Sequence, residues 1–162
     1  MTIRQAGFDD IQAIHQLAHQ TWWPTYSSVI PKEQIEFMLA EMYSEEALKL
    51  QIENGISFLL AEREEQTVGF AAYSITELEN LVFKLEKLYV LPSEQGKGTG
   101  KDLIAEVMKL AKLRGGKVLE LNVNRGNPAF HFYKKLGFEI HREVDIPYHQ
   151  FVLNDYVMRK KI

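Results

Sequence analysis

The sequence predicts a mixed α/β fold in which a single mixed sheet carries helices on both faces. Three observations predict it. Residues 85–103, LEKLYVLPSEQGKGTGKDL, pass from an apolar strand through a glycine-rich turn into an amphipathic helix, which is a strand-to-helix unit of α/β type. Residues 56–62 and 68–75 are two β-rich runs joined by the polar tip 63–67, a hairpin signal. Residues 138–145 and 151–159 read as a closing antiparallel pair.

Each element has its own local reason. Residues 2–6 read as a short strand, after which Asp9 or Asp10 can cap a helix with Ile11, Ile14, Ala18 and Thr21 on its apolar face. Trp22-Trp23-Pro24 should end that helix. A second helix fits residues 32–42, with Ile35, Met38, Leu39 and Met42 on one face. Ser44 followed by Glu45-Glu46 supplies the cap and acidic first turn of a third, which Gly55 stops. After the hairpin, residues 82–91 form a fourth strand that enters the glycine turn. The next helix turns Leu103, Ile104, Val107, Met108, Leu110 and Ala111 inward and Lys101, Glu106, Lys109 and Lys112 outward, until Gly115-Gly116 ends it. Residues 118–123 read as a strand and 128–136 as a short helix with Gly137 past its end.

Composition bounds the function. The 162 residues suit one domain, residues 1–162, able to bury about 70% of its unfolded surface. No apolar run approaches the roughly 18 residues of a membrane span, and Arg4, Asp9 and Asp10 sit where a signal peptide would be apolar. A cytoplasmic location and no membrane partner are therefore expected. The chain has no cysteine, which excludes disulfides and thiolate chemistry. A net charge of −3 with scattered basic residues gives no nucleic-acid footprint. His15 and His19 stand four apart without a readable third ligand, so no metal site is expected.

The glycine turn carries the chemistry. Gly96, Gly98 and Gly100 at alternate positions allow backbone N–H groups to converge, and the following helix adds the positive end of its dipole. That is an anion cradle, suited to a pyrophosphate. A P-loop would need Ser or Thr directly after Gly100-Lys101, where Asp102 stands. A dinucleotide fingerprint would need G-x-G-x-x-G with an acidic residue about 20 residues on. Here the pattern is G-x-G-x-G preceded by Gln95.

The Q-x-x-G-x-G spacing of Gln95, Gly98 and Gly100 resembles the acyl-CoA signature of the GCN5-related N-acetyltransferases, the GNAT family. The resemblance extends to residues 118–138, VLELNVNRGNPAFHFYKKLGF, and covers essentially the whole chain. It implies a three-layer α-β-α fold whose mostly antiparallel central sheet splays between its fourth and fifth strands. Pantetheine would lie between Leu88-Tyr89-Val90 and Leu121-Asn122-Val123. The backbone amides of Gln95, Gly96, Lys97, Gly98, Thr99, Gly100 and Lys101 would hold the pyrophosphate of acetyl-CoA, and Lys97 and Lys101 either add charge or stand as plain solvated surface.

Chemical roles follow for individual side chains. Asn127 before Pro128 is a helix N-cap by position, and the resemblance adds a hydrogen bond to pantetheine. Tyr133, otherwise an aromatic packing residue beside Phe130 and Phe132, matches the family's general acid, donating a proton to the departing CoA thiolate. A base must also take a proton from the attacking ammonium, and Glu86 is the candidate. Strand parity sets it on the face of Leu88 and Val90 if no bulge intervenes; its alternative is a rim carboxylate paired with Lys84 or Lys87. Backbone N–H groups near residues 88–90 would stabilise the oxyanion. Trp22, Trp23 and Tyr26 pack either under a loop or as an aromatic wall of the acceptor pocket, faced by Tyr148 and His149.

The resulting expectation is an acetyl-CoA-dependent N-acetyltransferase that works by direct amine attack in a ternary complex. Its helical N-terminal layout resembles the bacterial polyamine and diamine acetyltransferase branch, implying a small primary amine as acceptor. A protein N-terminal or lysine acetyltransferase, which would need an open groove beside Trp22 and Tyr148, is one alternative. A non-catalytic acyl-CoA sensor is another. Homodimerisation through the C-terminal strands or first helices is common in that family; no feature of this sequence establishes it.

Overall fold

The computed structural model describes residues Met1–Ile162. Its strands are β1 (Thr2–Gln5), β2 (Ser57–Arg63), β3 (Gln66–Glu77), β4 (Val82–Val90), β5 (Val118–Asn124), β6 (Glu139–Tyr148) and β7 (Phe151–Lys161). Its helices are α1 (Ile11–Tyr26), α2 (Lys32–Tyr43), α3 (Glu45–Glu53), α4 (Thr99–Leu113) and α5 (Ala129–Lys135). All seven strands join one sheet in the order β1-β2-β3-β4-β5-β7-β6. Every pairing is antiparallel except β4 with β5. No helix is long and apolar enough to cross a membrane.

The central strands are apolar on both faces because both are covered. In β2, Phe58 and Leu60 join Phe70 and Ala72 of β3 under α1, α2 and α3, where Ile14, Ala18, Trp22, Leu39 and Leu48 complete a core. Leu59 and Ala61 point the other way, joining Phe83, Leu85, Leu119 and Leu121 beneath Leu103, Ile104 and Val107 of α4. Each fully buried Leu or Ile contributes about 1.5–3 kcal/mol of burial free energy, so the sheet is clamped from both sides.

Several local expectations are corrected. Helix α1 does not stop at Trp22-Trp23-Pro24 but contains Pro24 and runs to Tyr26. Trp22 and Tyr26 are four apart and stack at 4.5 Å, while Ser27 donates its N–H to the Trp23 carbonyl, so packing outweighs the missing proline N–H. Asp10 takes the N-cap position of α1, but its side chain makes no hydrogen bond to the helix. Its carboxylate turns back to accept from the Gly7 N–H at 2.9 Å and from Arg4 at 2.8 and 3.0 Å, closing a short 3-10 turn before the helix. Ser44 does cap α3, accepting from the Ala47 N–H at 3.1 Å. The hairpin between β2 and β3 is tighter than expected, because Glu64 and Glu65 both adopt positive φ (52° and 64°) and let the strands pair as far as Arg63 and Gln66.

The feature that positions the site is the partial pairing of β4 with β5. They are in register from Val82 opposite Val118 to Leu85 opposite Leu121, and there the pairing ends. Strand β4 continues to Val90, held only by β3 on its other side. Strand β5 continues to Asn124, held only by β7. The sheet is therefore open along one internal seam.

Candidate active site

A cleft of about 810 Å³ opens from that seam, bounded by the end of α1, the open halves of β4 and β5, the glycine turn and the start of α5. Its floor is made by residues 85–90 of β4 and 121–123 of β5. Leu91 donates its N–H to Val68 of β3 at 2.9 Å. By strand alternation, the N–H groups of Leu88 and Val90 face the opposite edge, toward the gap. Two donors are thus presented where no strand accepts them.

The glycine turn supplies more. Gly96 and Gly98 stand at φ 82° and 84°, and Gly98 is the N-cap of α4. In this geometry the N–H groups of Gln95, Lys97 and Asp102 are taken by the carbonyls of Pro92, Glu94 and Gly98. Those of Gly96, Gly98, Thr99, Gly100 and Lys101 have no backbone acceptor, and they lie where the dipole of α4 is positive. Gln95 and Lys97 are therefore corrected as amide donors: the local 3-10 turn uses both N–H groups. Lys97 also lies outside the cleft lining, with its Nζ 3.3 Å from Glu94 Oε1.

Glu94 holds this turn together, and the sequence reading missed it. It is only 4% exposed and accepts from Thr99 Oγ1 at 2.9 Å, Arg63 Nε at 3.2 Å and Lys97 Nζ. Burial pushes its carboxyl up, but the hydrogen bonds from Thr99, Lys97 and Arg63 outweigh it and hold the pKa below the ordinary value. An acid one residue before the turn in Glu94-Gln95-Gly96 was the available signal. Arg125, also missed, pins the loop after β5 by donating to the carbonyls of Val144 and Asp155 and to the Asp145 carboxylate.

Strand β4 has a bulge at Glu86: Lys87 opposes Ala72 and Leu85 opposes Tyr73, leaving Glu86 without a partner. The parity expectation holds only without a bulge, so it does not apply here. Leu88 and Val90 pack with the α4 core, as Leu85 does, whereas Tyr89 packs with the core of α1–α3. Glu86 accepts from Ser74 Oγ at 2.8 Å instead of pairing with a lysine, and it lines the cleft. Lys87 reaches the α1–α3 side, where its Nζ sits 4.6 Å from the centre of the Tyr43 ring.

Tyr133 is 7% exposed, packs edge-on to Phe138 at 5.9 Å and still reaches the cleft wall, so it is at once a core residue and a site residue. Burial, reinforced by the nearby Tyr26, pushes its phenol far above the ordinary value of 10.0 and keeps it protonated. Asn127 also lines the cleft, and its Oδ1 accepts from the Ala129 N–H at 2.9 Å, as a cap should. Asn122 lines the cleft and donates to Asp155 Oδ2 at 3.4 Å. Asp155 is a buried carboxylate that sequence alone did not single out from the alternation of β7.

The aromatic wall divides. Tyr26 lines the cleft and its hydroxyl hydrogen-bonds that of Tyr89 at 2.9 Å. Trp22 does not line it: at 3% exposed, it lies beneath Tyr26, with Tyr43 at 5.5 Å and Tyr89 at 5.8 Å. Tyr148 is not there either, because it packs edge-on to Phe37 of α2 at 6.1 Å, beside His149. No group of three metal-ligating side chains comes together.

Residues 26–151 match the acetyltransferase (GNAT) domain family. The spermidine N(1)-acetyltransferase of Thermoplasma acidophilum is 31% identical over 98% of this chain and 96% of its own length. The crystal structure of a PaiA N-acetyltransferase from the same organism, in complex with coenzyme A, superposes with a TM-score of 0.86 at 30% identity, covering 99% of this chain and 98% of that one. A GCN5-related N-acetyltransferase of Rhodopseudomonas palustris superposes at 0.83 with 21% identity, over 99% and 95% of the two chains, a likeness of fold alone.

Proposed function

The chain belongs to the GNAT acetyltransferase family, and from that premise we propose that it transfers the acetyl group of acetyl-CoA to a small primary amine of polyamine type, by direct attack in a ternary complex. One observation carries the reading. Five unclaimed N–H groups at a helix N-terminus and two more along an open strand edge converge on a single cleft, a donor array suited to a pyrophosphate followed by the amides and thioester of pantetheine.

In this reading the pyrophosphate rests on the N–H groups of Gly96, Gly98, Thr99, Gly100 and Lys101. Pantetheine fills the seam between residues 88–90 and 121–123, beside Asn122 and Asn127. The acceptor enters past Tyr26. Glu86, directly or through water, takes the ammonium proton, and the neutral nitrogen attacks the thioester carbonyl. The N–H of Leu88 or Val90 holds the developing oxyanion. As the C–S bond breaks, Tyr133 gives its proton to the CoA sulfur, and the nitrogen, becoming an amide, returns its remaining extra proton to the phenolate, so that Tyr133 ends protonated as its burial favours.

The polyamine preference rests on the similarity to the Thermoplasma spermidine enzyme over nearly the full chain. An open groove for a protein substrate beside Trp22 and Tyr148 is disfavoured, because Trp22 is core and Tyr148 is packed on Phe37. The test is steady-state turnover with spermidine, a peptide α-amine and an aminoglycoside, alongside calorimetric binding of acetyl-CoA. Turnover of spermidine above the other two supports the proposal. Binding of acetyl-CoA with no turnover of any amine would favour the sensor reading, and turnover of the peptide alone would favour a protein acetyltransferase.

A further inference from the structure

Lys87 has no place in that mechanism, yet it is built into the same cleft. It directly follows the bulged Glu86, two residues past the point where β4 parts from β5. The residue is 6% exposed and lines the cleft with Glu86, Leu88, Asn122 and Tyr133. A buried lysine ordinarily has a carboxylate partner. This one has neither an ion pair nor a hydrogen bond, since Glu86 is turned to Ser74, and its Nζ rests on the Tyr43 ring.

We propose that Lys87 is an internal acceptor: when acetyl-CoA occupies the cleft and no amine is present, the enzyme acetylates its own Lys87 at Nζ. The proposal rests on the acetyl-CoA reading of the cleft. The step is the enzyme's own reaction turned inward. Neutral Nζ attacks the thioester carbonyl, and the N–C bond forms as the C–S bond breaks. The proton shed by nitrogen ends on the CoA sulfur, giving an acetamide on Lys87 and free CoA. No oxidant or reductant is required.

Burial favours this outcome over acetylation of surface lysines. It pushes the Lys87 amine down to about 8 from the usual 10.5, against the opposing pull of Glu86. At pH 8 such an amine is neutral on the order of a hundred times more often than an ordinary lysine. Its lower basicity forfeits about tenfold in nucleophilicity if amines follow the slope known for thiols. A net advantage of about tenfold remains before proximity in the cleft adds to it. The modified side chain is longer and uncharged, on a residue that lines the cleft beside Glu86.

The experiment incubates the intact protein with acetyl-CoA at pH 8 without an amine and maps acetyl groups by peptide mass spectrometry. Parallel samples contain spermidine or are unfolded in urea, and calorimetry on the same preparation measures acetyl-CoA binding. The expected result is acetylation of Lys87 about tenfold or more faster than of Lys32, Lys97 or Lys101, slowed by spermidine and lost on unfolding. Lys87 left unmodified, or labelled no faster than those surface residues or than in urea, overturns the proposal. If acetyl-CoA binds normally in that case, the proposed function survives and the internal-acceptor role alone falls. If acetyl-CoA does not bind, both fall.

Discussion

Gly98→Ala isolates the backbone of the anion cradle from everything around it. Gly98 stands at φ 84°, and a Cβ added there would meet no atom within 4 Å, so the substitution introduces strain without a steric clash. Holding a non-glycine residue in that left-handed region costs about 1–2 kcal/mol. The strain has two outlets. If the turn keeps its shape, the folded state loses that energy and Tm falls by about 2–4 °C for each kcal/mol in a domain of this size. If the turn relaxes, its N–H groups lose their convergence and acetyl-CoA must restore it, so Kd rises by about 5- to 30-fold. Differential scanning calorimetry and titration calorimetry on one preparation read both outlets. Gly7→Ala is the control, since Gly7 has φ −120° and is equally free of neighbours. Gly98→Ala indistinguishable from wild type in both Tm and Kd would refute the cradle reasoning.

Three further predictions concern other residues. Tyr133→Phe should lower kcat by about a hundredfold while leaving acetyl-CoA affinity near wild type, measured by steady-state kinetics beside calorimetry; because burial holds the phenol protonated, the wild-type rate should show no alkaline decline from this group below pH 10. Glu86→Gln should cost at least tenfold in kcat/KM for the amine, and Ser74→Ala, which frees the Glu86 carboxylate, a smaller factor in the same direction; equal rates for all three proteins would remove Glu86 as the base. Asp10→Asn should destabilise the fold by about 1 kcal/mol at pH 7. The Arg4 guanidinium, against some opposition from burial and with help from the Gly7 N–H, lowers the Asp10 carboxyl below its usual 3.8. Its contribution is therefore present above that pH and lost as pH falls through the lower folded value, and a series of urea melts from pH 7 downward should show the difference hold to the usual carboxylate range and shrink below it.

What was legible in the sequence was local. The Q-x-x-G-x-G spacing, the Ser44 cap and the paired apolar runs of β2 and β3 depend on neighbours a few residues apart, and they stand where the sequence placed them. What was illegible depended on partners far along the chain. Pro24 remains inside α1 because Trp22 packs on Tyr43 and Tyr89, 21 and 67 residues away, and Tyr26 on Tyr89. The bulge at Glu86 exists only in the register of β4 against β3, and alternation alone would have turned Glu86 and Lys87 to opposite faces. Glu94 reads as an ordinary loop acid until Arg63, 31 positions upstream, is brought beside it. Trp22 and Tyr148 went astray for a related reason: an aromatic cluster in sequence does not reveal which ring meets the cleft and which supports it from behind.

The seam left open between β4 and β5 has a consequence for the life of the protein in a cell. A sheet interrupted at its centre lacks several hydrogen bonds that a closed sheet would have, and the co-substrate is the molecule proposed to complete it. A ligand that binds only the folded form, present at a hundred times its Kd, adds about 2.7 kcal/mol to stability, a large share of what a domain of this size ordinarily has. Under abundant acetyl-CoA the enzyme should resist unfolding and proteolysis; under starvation for it, the same chain should be cleared faster, so that abundance of the catalyst follows supply of the acetyl donor without any dedicated regulator.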